Sequence, residues 1–175
     1  LSELGAAQGD RITVVVPHPF IHLRRIPLEF AGERDRIDQI AWEAAQTLFA
    51  DPEDLVVEHW AAGSSATWQA YRSVLRDCLR AGCNRAGCAV ARICSEPIAL
   101  YDVIRSDSRV EHAGAAAISE YVASTAAGSQ HALWRANTFA VTDRAGVAEL
   151  IAARLLGRSE RLDRISLFAL TEGAE

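Results

Sequence analysis

Short β-branched runs alternate along this chain with stretches whose apolar residues recur at helical spacing, and that alternation leaves few architectures open. The clearest run is Arg11–Val16, whose Ile-Thr-Val-Val-Val core meets Pro17 and Pro19, so a strand is expected with a hard stop. Residues 25–30 predict a shorter strand, and Pro27 inside it demands an edge or a bulge. Over residues 34–50, Ile37, Ile40, Ala41, Ala44, Ala45 and Leu48 share one helical face while Glu33, Arg34, Asp35, Arg36 and Asp38 crowd the start or the wet side. An amphipathic helix follows. Asp51-Pro52 ends it, and residues 55–60 form the next strand.

The second half is harder to read. Gly63-Ser64-Ser65 reads as the opening of a second helix, with Trp68, Tyr71, Leu75, Cys78 and Leu79 on its apolar face and Gly82 closing it. Residues 88–94 predict a strand, and 97–104 leave helix and irregular structure both open. The Ala-rich stretch 115–126, with Ile118, Tyr121 and Val122 on one side, predicts a helix. A strand is expected over 133–141. A helix capped at Thr142-Asp143 then runs to Leu156, with Val147, Leu150, Ile151 and Leu155 inward, and 164–170 is the last strand. The expected fold is a layered α/β domain over residues 1–175: a mixed or mostly parallel sheet with helices packed on it. Residues 11–16, 55–60 and 164–170 are expected in one sheet, with ragged ends at 1–10 and 171–175.

Composition narrows function more by exclusion than by signal. The net charge is -5, which disfavours the phosphate backbone of nucleic acid as a partner. No apolar run reaches the roughly 18 residues of a membrane span, so a soluble, cytoplasmic protein without a membrane partner is expected. Every basic residue is Arg and Ala is abundant, as in GC-rich bacterial genomes. Met is absent even at position 1, which suggests a processed chain or a module of a longer one.

No dense catalytic motif is present. Cys78, Cys83, Cys88 and Cys94 are spaced C-x4-C-x4-C-x5-C, without the tight C-x2-C turn of thiolate zinc sites, so no metal is expected. Their expected role is as small core hydrophobes, with a Cys83–Cys88 disulfide as the alternative. His18 and His22 flank the end of the first strand, where α/β proteins place ligands. Glu58-His59 leads into Gly63, Ser64 and Ser65, which as a helix start could hold an anion on free backbone N–H groups. His59 beside Ser64 also suggests a nucleophile and base, but the elbow G-x-S-x-G is missing. Two functions therefore stand. The first is a non-catalytic binding or protein-interaction module of a larger or processed bacterial protein, without cofactor, partnered by a protein segment or by its own copies. Phe20, Trp134 and Arg135 are candidate anchors for it. The second is a small hydrolase-like enzyme or an anion- or nucleotide-binding protein using His18, His22, His59 and Ser64, with Trp60 and Trp68 walling the pocket.

Overall fold

The computed structural model describes residues 7–17, 20–29, 32–106, 112–118, 122–129, 131–141, 146–155, 162 and 164–169. Among them lie four α-helices and nine strands in a mixed α/β arrangement, and the chain divides into two compact units. The first comprises residues 1–59 and 68–95, the second 60–67 and 96–175.

In the first unit, β1 (Arg11–Val16) pairs in parallel with β5 (Ala89–Ser95). Backbone bonds from Gly9 N to Gly87 O and from Ala89 N to Asp10 O extend that pairing, so residues 7–10 of the expected ragged end are held. The rest of that end, residues 1–6, lies outside the described residues, as do 171–175. A second sheet, whose residues 60–67 are counted with the second unit, has the order β2-β4-β3, from β2 (His22–Pro27), β3 (Leu55–Ala62) and β4 (Ser65–Arg72). Pro27 is the last residue of an edge strand, where its missing N–H leaves no ladder bond unmade. The helix α1 (Glu33–Leu48) forms as its periodicity requires, with Glu33 and Asp35 in its first turn and Ile40, Ala44 and Ala45 buried. Val16, Ile21, Tyr71 and Ile93 make the core, with Leu75 and Leu79 of α2 (Ser73–Arg85) packed against it.

Tyr71 is nearly inaccessible, and burial, followed by the charge of Glu58, raises its phenol above the ordinary value. Burial raises Tyr101 as well. Each phenol ionises less readily folded than unfolded, so their contribution is intact below about pH 10 and is lost as pH rises beyond it. Melting temperature should accordingly hold steady into mild alkali and fall above about pH 10. Tyr71→Phe should flatten part of that fall.

The second unit has the strand order β8-β7-β6-β9, from β6 (Ala113–Ile118), β7 (Val122–Gly128), β8 (Leu133–Ala140) and β9 (Arg164–Ala169). The strands β6, β7 and β8 form an antiparallel meander, and β9 adds to β6 in parallel. Helix α3 (Glu96–Ser106) and helix α4 (Val147–Leu155) both pack on this sheet. Register assigns the faces. The Ser124 hydroxyl donates to Glu96 Oε2 of α3 at 2.6 Å and lies 3.2 Å from Thr138 Oγ1, so even-numbered β7 residues face α3. Ala116 and Ala127 face the other way and pack with Ile151 and Leu155 of α4.

Several expectations are corrected here. Residues 115–126 are two strands rather than a helix: alanine favours helices, but a sheet covered on both faces by helices needs small side chains on both faces, and Ala115, Ala116, Ala123, Ala126 and Ala127 are buried. Residues 65–72 are a strand, and the second helix begins at Ser73. Burial of Ala66 through Tyr71 on both sides removed the alternation that marks a strand. The strands at 11–16, 55–62 and 164–169 belong to three sheets. The mostly parallel option also fails, since β6–β7 and β7–β8 are antiparallel. Residues 97–104 resolve as helix, and the cap proposed at Thr142-Asp143 lies outside the described residues.

Candidate functional site

Strand order decides what the histidines can do together. His22 opens β2 and His59 lies on β3, while β4 runs between them. At about 4.8 Å per strand spacing, their backbones are separated by roughly 10 Å. They do not form a close pair, and His18 lies outside the described residues. Gly63 and Ser64 are the turn of the β3–β4 hairpin, and Ser65 begins β4. Gly63 has φ +59, the left-handed first position that a tight two-residue hairpin turn favours. The helix N-terminus on which the anion site depended is therefore absent at 63–65. Trp68 is wholly buried with its Nε1 lacking a hydrogen-bond partner, and Trp60 is half-buried, so Trp68 walls no open pocket.

None of the four cysteines is disulfide-bonded, so no Cys83–Cys88 bridge is present. Cys88 and Cys94 are buried as expected, but Cys78 is exposed because the apolar face of α2 runs through Leu75 and Leu79 instead. Among the described residues no group of three His, Cys, Asp or Glu side chains could hold a metal ion. Of the proposed interface anchors, Phe20 is exposed, whereas Trp134 is half-buried with its ring 4.9 Å from that of His112, and Arg135 is half-buried.

A buried polar cluster that sequence reading missed sits in the first unit. Gln69, fully buried on β4, donates from Nε2 to Glu58 Oε2 at 3.0 Å and accepts at Oε1 from both Ser95 N and Ser95 Oγ, each at 3.0 Å. Arg92 reaches the same Glu58 oxygen at 3.5 Å. The amide thus ties β3 and β4 to β5, which belongs to a different hydrogen-bonded sheet. Both ends of the side chain are satisfied, so its evident work is to join the two sheets.

The surface with the features of a binding site is the outer face of α1. At about 3.6 residues per turn, Asp35, Asp38, Trp42 and Gln46 fall on one stripe opposite Ile40 and Ala44, and Phe49 follows at its end. Trp42 is 60% exposed and Phe49 91% exposed. Phe49 also adopts φ 48, ψ 52, where its N–H bonds to Ala45 O and closes the helix. That left-handed conformation costs a non-glycine residue about 1 kcal/mol, and glycine is the usual occupant. A phenylalanine there carries strain and buries almost nothing of its own ring. Beside it opens a groove of about 350 Å³ lined by Gln46, Phe49, Asp51, Asp54 and Arg72. Arg72 points its guanidinium at the carbonyls of Leu48 and Phe49, 3.4 and 3.5 Å away. The helix is anchored along one flank of this stripe, where Gln39 donates to Pro27 O and accepts from Glu29 N, and Arg24 donates to Thr47. A signal for this surface was present in the sequence, since Trp42 lies on the polar side of an otherwise regular amphipathic pattern.

A smaller cavity in the second unit, about 160 Å³ between the end of α3 and the starts of β6 and β9, falls below the usual size of a small-molecule site.

Comparison with known proteins bears on the fold. No protein-family model matches the chain, and no curated protein does. Among solved structures it is similar to the cytoplasmic domain of EpsL, an inner-membrane component of the type II secretion system of Vibrio cholerae, with TM-score 0.56 and 19% identity over 93% of this chain and 62% of that one. It is also similar to the PilM–PilN type IV pilus biogenesis complex, with TM-score 0.54 and 15% identity over 80% of this chain and 46% of that one. A looser superposition, at TM-score 0.38 and 14% identity over 91% of this chain and 68% of that one, is with a Bacteroides thetaiotaomicron protein of actin-like ATPase fold and unknown function. The chain thus spans less than two thirds of the first two structures it resembles. At these identities the likeness is one of fold.

Proposed function

We propose that this chain is a docking module of a larger bacterial protein assembly, acting by binding another protein segment and carrying no chemistry of its own. The observation that carries this is the pair of solvent-facing aromatics on α1, of which Phe49 occupies a strained backbone position. Aromatic side chains in such settings are the usual energetic centres of interfaces. Two similar folds belong, by their descriptions, to multi-protein secretion and pilus systems, which supports the class of role without naming a partner. No helix among the described residues is long and apolar enough to cross a membrane, and we place the module on the cytoplasmic side by analogy with the EpsL domain.

The test is site-specific photo-crosslinking in the host cell, with the reactive residue at position 42 or 49 and, as control, at Leu150 of α4, which is also partly exposed. A discrete protein adduct from 42 or 49 and none from 150 is the expected result. Absence of any adduct, together with turnover abolished by His59→Ala, would instead establish an enzyme.

A further inference from the structure

We infer that the outer face of α1 takes an amphipathic helix of another protein, one whose apolar stripe is flanked by Arg or Lys. This rests on the docking role proposed above and specifies the chemistry of the partner. Trp42 and Phe49 are seven residues apart, so they project from one side of α1 roughly 10 Å from each other. That is two helical turns, the interval at which a partner helix repeats its own apolar positions.

Charge selects the flanks. Asp35 and Asp38 share the stripe with Trp42, and Asp51 and Asp54 line the groove beside Phe49. Arg72 is the one cation among the groove-lining residues, and it is directed at the helix-end carbonyls. Because Arg72 already meets the carbonyls that end α1, the negative field of the groove comes from Asp51 and Asp54. An Arg or Lys at the end of the incoming apolar stripe would meet both carboxylates. An anionic lipid surface would be repelled by the same groups.

Phe49 supplies a criterion independent of binding. If its ring serves a partner and not the fold, Phe49→Gly should relieve backbone strain and raise the melting temperature of the free chain by about 2–4 °C while weakening the complex.

The probe is a fluorescein-labelled 14-residue helical peptide of Leu, Ala and Arg with leucines on one face, titrated by fluorescence anisotropy at low and moderate salt. Two control peptides accompany it, one with every Arg replaced by Glu and one with the leucine spacing scrambled at constant charge. The Leu/Arg peptide should bind at least about tenfold more tightly than either control, and more weakly as salt rises. Trp42→Ala and Phe49→Gly should each reduce binding about tenfold, and Asp51→Asn with Asp54→Asn should remove most of the salt dependence. Equal binding of the scrambled peptide, insensitivity to Phe49→Gly, a fall in melting temperature in that variant, no binding of the Leu/Arg peptide, or capture of phosphatidylglycerol vesicles through the same residues would each overturn the inference. The crosslinking result at positions 42 and 49 is read separately, so a docking module with a differently charged partner remains distinguishable from no docking module.

Discussion

The Gly128→Ala substitution is expected to destabilise the protein by roughly 3 kcal/mol, a fall of about 10 °C in melting temperature. Gly128 ends β7 on the face covered by α3. A Cβ there would run into the carbonyl oxygen of Ala132 and stand 3.0 Å from Tyr101 Cε2 and 3.2 Å from Leu133 Cα. Two of those three neighbours are backbone, which cannot swing away as a flexible side chain would. The comparison that isolates the cause is Gly82→Ala in α2, where a Cβ meets nothing within 4 Å. Ordinary helix propensity should make that variant more stable by up to about 1 kcal/mol. Thermal melts of the two variants should move in opposite directions. A neutral Gly128→Ala would show that the β7–β8 turn can yield.

The second large effect is expected at Gln69. Replacing it by leucine keeps its approximate volume but strands the Ser95 N–H and the Ser95 hydroxyl in the interior and removes a partly buried bond to Glu58. Buried groups left without partners cost about 1–3 kcal/mol each, less whatever water enters to replace them, so a total loss of roughly 3 kcal/mol is expected. Chemical denaturation measures that loss. Hydrogen exchange at the Ser95 amide locates it, because this N–H bonds to the Gln69 side chain. A loss below about 0.5 kcal/mol would mean that the two sheets of the first unit hold together without the amide.

How far the sequence reveals this fold depends on which faces each segment buries. The strand β1 and the helix α1 were legible because each shows its own period or composition: a β-branched run stopped by proline, and apolar residues at three and four with acids at the start. The last strand was legible for the same reason. Strand β4 and the β6–β7 hairpin were not, because both are covered on two sides and so lack the alternation of a half-exposed strand. The reading at Gly63–Ser65 failed at one point only: a glycine followed by serine serves a hairpin turn as well as a helix start, and long-range pairing made the choice. Function was less legible than fold. The histidines and serines were conspicuous as residue types, yet His22 and His59 stand on strands separated by a third. Trp42 and Phe49 were inconspicuous beside them, although a tryptophan on the wet side of α1 was visible from periodicity alone.

The sheet of the second unit also carries a consequence for synthesis on the ribosome. Its β6–β7–β8 meander is built from neighbours in sequence and can zip together soon after it emerges, but the partner on the outer edge of β6 is β9, at the far end of the unit. Until that strand arrives, the nascent chain holds out an alanine-rich edge with its N–H and C=O groups unpaired, flat enough to accept a strand from another molecule. The residues of β6 itself, Ala-Gly-Ala-Ala-Ala-Ile, include no charged gatekeeper to guard that edge. Yield on rapid expression should consequently respond to growth temperature and to chaperone supply more strongly than the stability of the finished protein would suggest.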